Sequence, residues 1–161
     1  MTGKASPMQK TARSALRNAQ AGRELAQASA AVISRRFEIM GEALADPLCA
    51  DHAELSRMGA EKVEAMTASA GAACAGALDL VERAGRLAAR EGAEAADCLA
   101  KLARADTPLA FAAAQTDWAM GAWSRAMSDG WSFYGAALKA QGRTLAPVHA
   151  TATANARRLK R

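Results

Sequence analysis

The chain has 161 residues, of which 51% are hydrophobic and 23% charged, with a net charge of +5. Alanine supplies 45 of the hydrophobic residues, whereas Leu, Val, Ile and Phe together number 23, too few for a thick core although the net charge is too modest for simple disorder. Alanine favours helices and strand-forming residues never alternate over a useful length, so a sheet-based fold is excluded and an all-α one expected.

Residues 1–10 lack periodicity and are expected to be disordered. A first helix is predicted over about 11–45, where Leu25, Val32, Ile33, Phe37, Met40 and Leu44 step by threes and fours as one apolar stripe. Arg36 falls inside that stripe and calls for a snorkelling or paired side chain. Pro47 cuts the chain.

A second helix follows over about 51–105, with Asp51 as N-cap and Glu54 completing a capping box. Its stripe runs through Leu55, Met58, Val63, Met66, Ala70, Ala73, Ala77, Leu80, Val81, Leu87 and Leu102. It is narrow and lined with small residues, which suits close helix approach, and Gly85 and Gly92 are points where it bends or divides. The third helix opens with Thr107 as cap and Pro108 at the first helical position, and Pro147 is expected to end it at about 146. A basic tail, 147–161, remains.

Chemistry-bearing residues crowd only around the first junction, where Asp46, Cys49, Asp51, His52 and Glu54 lie close in sequence. Asp46 and Cys49 belong to the connection, Asp51 is taken by capping, and His52 and Glu54 stand two apart, on different helix faces. Three cysteines without a C-x-x-C pair suggest neither a disulfide framework nor a zinc site. No nucleotide-binding or hydrolase motif is present. The expectation is a non-enzyme with no catalytic residue, metal or cofactor. No run of about 18 apolar residues and no signal-type segment occurs, which predicts a soluble, intracellular chain without a transmembrane span.

Charge is unevenly divided: residues 1–45 carry +4, 46–106 carry −4 and 107–161 carry +5. The middle segment can pair with its neighbours, within one chain or between chains. Six of the seven aromatic residues lie between Phe111 and Tyr134. Met120, Trp123, Met127, Trp131, Tyr134 and Leu138 follow near-heptad steps as a bundle or oligomer seam. Phe111, Trp118 and Phe133 fall roughly on the other side, as candidate anchors on an external apolar surface or as a second core face of a central helix. The expected architecture is thus long amphipathic helices in a bundle or coiled coil, oligomeric, with disordered termini.

"VISRRFEIM" followed by "LADPLCADHAELSRMGAEKVEAM" resembles the signature of the phasins, proteins that coat polyhydroxyalkanoate storage granules in bacteria. The resemblance rests on Val32, Ile33, Arg36 and Met40, then on Asp46, Pro47, Asp51, Glu54, Met58, Glu61 and Lys62, and on the ending "APVHATATANARRL". It implies a non-enzymatic cytoplasmic granule-surface protein, helical and oligomeric, which limits granule coalescence and acts with the polymer synthase or depolymerase. Arg157, Arg158, Lys160 and Arg161 form either a solubilising end or a contact for an acidic partner. A basic helical protein binding nucleic acid through its two positive ends is the alternative function.

Overall fold

The computed structural model describes residues 6–48 and 52–159. Three α-helices account for nearly all of them: α1 over Pro7–Ala45, α2 over His52–Ala103 and α3 over Pro108–Arg158. Local chemistry sets their starts. Ser6 caps α1 by accepting from the Gln9 backbone N–H while the Gln9 side chain accepts from the Ser6 N–H, and Pro7 stands at the first helical position. Helix therefore occupies residues 7–10, which the sequence assigned to a disordered end; the capping box supplies the order that periodicity did not reveal. Thr107 caps α3 in the expected way, its Oγ1 accepting from the Ala110 N–H.

The second helix is unbroken through Gly85 and Gly92, where no neighbour crowds the backbone. The third continues through Pro147 to Arg158, beyond its expected end at 146. A helix-interior proline costs about 3 kcal/mol. That cost is opposed by contacts made on its far side, by His149 with Glu24 and by Arg158 with Glu54 and Glu61. The segment 147–159 is thus part of the packed fold rather than a tail. Cys49, Asp51, Lys160 and Arg161 lie outside the described residues.

The helices run up, down, up, with α3 in the middle. Thr11 lies against Gly135, Asn18 donates to the Leu138 carbonyl at 2.8 Å, and Glu24 meets His149 at 3.0 Å, so α1 lies parallel to the second half of α3. Gly76 meets Ala140, Glu91 meets Arg125 and Glu61 meets Arg158, so α2 is antiparallel to α3 along its length. Among the described residues no backbone contact joins α1 to α2. The α3 residues facing α2 (Arg125, Asp129, Ala140) and those facing α1 (Gly135, Leu138, Gly142) occupy nearly opposite sides of its wheel. The bundle is consequently one flat layer of three helices.

Such a layer has little interior. Among the described residues the buried apolar ones are Val32, Ile39, Ala65, Cys98 and Ala136. The accessible surface is 11460 Å², where a compact 16.7 kDa monomer exposes about 7,600 Å². Two sequence-predicted stripes are redistributed accordingly. On α1, the residues turned inward repeat every seven positions (Thr11, Asn18, Leu25, Val32, Ile39), and Ile33, Phe37, Met40 and Leu44 point away from the neighbouring helix. On α2, Leu80, Leu87 and Leu102 face inward with Ala65, Ser69, Ala72 and Gly76, while Val63, Met66 and Val81 are exposed. Each predicted stripe had merged an inner with an outer face, because large apolar residues lie on both faces of these helices and three-four steps connect them.

Candidate functional site

One end of the layer is closed by an ionic cluster drawn from all three helices. At this end Ile39 of α1 and Glu54 of α2 are buried. Arg158 of α3 donates to Glu61 at 2.8 Å and to Glu54 at 2.9 Å, and Arg36 of α1 stands 3.7 Å from Glu61. The bonds from Arg158 hold the Glu61 carboxyl below its ordinary range. Arg36 is thereby paired, as its place in the apolar stripe required. Arg158 is committed within the chain, which leaves Arg157 as the exposed member of the expected basic tail among the described residues. Part of the division of charge along the sequence is used in such internal pairs: Arg125 of the basic third segment binds Glu91 of the acidic middle one at 2.8 Å.

The two broad sides of the layer differ sharply. With α1 parallel and α2 antiparallel to α3, helical phase sends one line of each helix to the same side. From α1 these are Met8, Ala15, Ala19, Ala26, Ile33 and Met40, with Phe37 and Leu44 at the outer corner; from α2 they are Met66, Ala70, Ala73, Ala77, Ala84 and Leu99. From α3 they are Ala112, Ala119, Trp123, Gly130, Tyr134 and Ala137. Among the described residues charge reaches this side only at its margins, through Lys62 near one end and Arg23 at the edge of α1. Trp123 is 69% exposed and Tyr134 50%.

The opposite side carries Arg17, Glu24, Arg35 and Glu38 on α1, Glu64, Asp79, Glu82, Arg86 and Asp97 on α2, and Asp117, Lys139 and Arg157 on α3. Many of these pair along their own helix, as in Arg35 with Glu38, Asp79 with Arg83 and Asp97 with Lys101. Bonds from Gln20, then from His149, lower the Glu24 carboxyl, and Arg83 lowers Asp79.

Of the two aromatic groups on α3, one stays together and the other divides. Phe111, Trp118 and Phe133 all lie on the side of α3 that faces α2. Phe133 is half-buried in a notch with Arg83, Arg86 and Leu87, and Phe111 closes the turn formed by Ala105, Asp106, Thr107 and Pro108. Of the expected seam, Trp123 and Tyr134 point to the uncharged broad side. Met120, Met127 and Trp131 point to the edge of the layer, and Leu138 continues that edge beneath α1. The exposed apolar residues of α1, above all Ile33, Phe37 and Met40, join the broad side, apart from Val32 of the same apolar stripe, which is buried.

The signature residues also separate by position. Val32, Arg36, Glu54 and Glu61 hold the closed end, and Ile33 and Met40 lie on the uncharged side with Lys62 at its margin. Asp46 and Pro47 make the connection, where Asp46 Oδ1 accepts from the Leu48 N–H and the Pro47 carbonyl lies 3.0 Å from the His52 ring. Met58 lies in the second turn of α2. Among the described residues no group of His, Cys, Asp or Glu is arranged to hold a metal, and no helix is long and apolar enough to cross a membrane.

The protein is thus an all-α layer of three long helices with one uncharged and one charged broad side. A family model described as "Phasin protein" matches residues 53–152, covering nearly all of α2 and most of α3. The chain belongs to the phasin family, a family of non-enzymatic structural proteins. Comparison with curated proteins and with solved structures gave no match.

Proposed function

We propose that the protein coats intracellular polyhydroxyalkanoate granules in the cytoplasm by laying the uncharged side of its helical layer on the polyester, and so limits their coalescence. The observation that carries this reading is the separation of charge across the layer: three helices contribute one continuous uncharged side, with large apolar side chains that a monomer in water has no reason to expose together. A neutral polyester has no use for ion pairs, and adsorption this way removes none from water. The charged side then faces the cytoplasm, where it keeps coated granules apart and is the surface offered to polymer synthase or depolymerase.

The reading is tested by floating purified protein with polyhydroxybutyrate particles on a density gradient at low and high salt, beside a helical control of similar charge. Binding that survives high salt and is absent from the control is expected. Binding abolished by salt refers the protein to an anionic partner such as nucleic acid instead. Arg158, fixed by Glu54 and Glu61, is withdrawn from such a contact.

A further inference from the structure

The uncharged side is not wholly apolar along α3. Thr116, Trp123, Tyr134 and Gln141 stand on the line that faces it, each of them exposed. All but Thr116 present a proton that the fold does not use. Trp123 and Tyr134 make no hydrogen bond among the described residues. The Gln141 amide is held one way round. Asn18 Nδ2 donates at 2.8 Å to the Leu138 carbonyl, which can only accept, so the Gln141 atom 3.1 Å from the same nitrogen is its oxygen. Its Nε2 is the end left without a partner. Thr116 differs, because its hydroxyl donates to the Ala112 carbonyl at 2.8 Å within its own helix.

Laid on a surface, these donors lose their water. A hydrocarbon offers nothing in return, and a donor left unmet costs free energy comparable with a lost hydrogen bond. An ester surface offers carbonyl oxygens, which accept, and no donor of its own. A face of alanine and large apolar side chains, interrupted by neutral N–H and O–H groups, is therefore matched to an ester and mismatched to an alkane.

We infer that Trp123, Tyr134 and Gln141 donate to ester carbonyls of the polymer and so give the adsorbing side a preference for polyester over hydrocarbon. The inference rests on adsorption by the uncharged side. Spacings of eleven and seven residues set the donors about 16 and 10 Å apart along α3, so each meets a carbonyl of its own and no single register of the polymer is required. The alanine lines of α2 flank all of them, and α1 flanks Tyr134 and Gln141. Adsorption thus shuts water out around the donors, where a hydrogen bond to a carbonyl is strongest.

The test compares isotherms of the full chain on polyhydroxybutyrate and polypropylene particles of equal size. The ratio of the two affinities cancels the apolar area, which both surfaces cover alike. Wild type should favour the polyester by more than about tenfold, and Trp123→Phe, Tyr134→Phe and Gln141→Met should each lower the ratio about fivefold. Thr116→Val should leave it unchanged, because that hydroxyl is already engaged with Ala112. Trp123 and Tyr134 have no bond within the chain to lose, so their variants should keep the wild-type circular dichroism. A wild-type ratio near unity, a ratio unmoved by both phenylalanine variants, or an equal fall in Thr116→Val would overturn the inference while adsorption to polyester stands. Failure of the wild type to bind polyester at all would overturn the adsorption reading, and this inference with it.

Discussion

Replacing Trp123 and Trp118 by alanine, one at a time, separates the side that meets a surface from the side that meets α2. Trp123 is 69% exposed, so about 170 Å² of a tryptophan's roughly 250 Å² is open to a ligand surface. A flat polymer covers about half of that, worth about 2 kcal/mol at ~25 cal/mol per Å², or about thirtyfold in affinity. Trp118 is 39% exposed and stands level with buried Cys98 on α2. Its own chain therefore already covers about 150 Å², and truncation should lower folding stability by about 3 kcal/mol. Trp123→Ala is expected to bind polyhydroxybutyrate particles about thirtyfold more weakly with its thermal melt nearly unchanged, and Trp118→Ala to melt earlier. Isotherms on particles together with melts followed by circular dichroism measure both. A Trp118→Ala protein that keeps its melt and loses binding, or a Trp123→Ala protein that does the reverse, would refute the assignment of faces.

Glycine positions on α2 report its contact with α3. A Cβ on Gly76 would come within 2.8 Å of the Ala140 Cβ, while Gly85 has open space; urea melts should show Gly85→Ala more stable by about 1 kcal/mol and Gly76→Ala no more stable than wild type. Pro147→Ala restores a helix-interior N–H and should raise stability by about 1–3 kcal/mol in the same assay. The Glu61 carboxyl is held low by Arg158, so its contribution is complete above the ordinary carboxylate range and is lost as pH falls through the lowered value. Stability measured from pH 6 downward should therefore decline in that acid range, and Glu61→Gln should flatten the decline.

The helices were legible because their punctuation is local. Thr107 with Pro108, and Pro47 in the connection, mark boundaries whatever the tertiary context. Ser6, Pro7 and Gln9 spelled a start just as clearly, a signal masked by the absence of apolar periodicity around them. Pro147 misled because a local penalty was outweighed by distant contacts, those of His149 with Glu24 and of Arg158 with Glu54 and Glu61. Which face of each helix turns inward was not legible. Interfaces such as Gly76 with Ala140, or Thr11 with Gly135, carry no hydrophobic signal, so large side chains on the outer faces weighed as heavily in the periodicity as Leu25, Val32, Leu80 and Leu87 on the inner ones. The uncharged side itself was hidden for another reason: it exists only once the parallel and antiparallel senses of the three helices fix which lines face the same way.

A charge placed on either side of α2 tests the central claim most directly. Ala73 and Ala75 are both exposed and stand about 200° apart around one helix, the first in line with Met66 and Ala77, the second with Glu64 and Glu82. Glutamate suits an exposed helix at both positions, so folding should be unaffected. The adsorption isotherm on polyhydroxybutyrate particles is predicted to weaken markedly for Ala73→Glu and to match wild type for Ala75→Glu. Equal isotherms for the two variants, or the greater loss for Ala75→Glu, would contradict adsorption by the uncharged side.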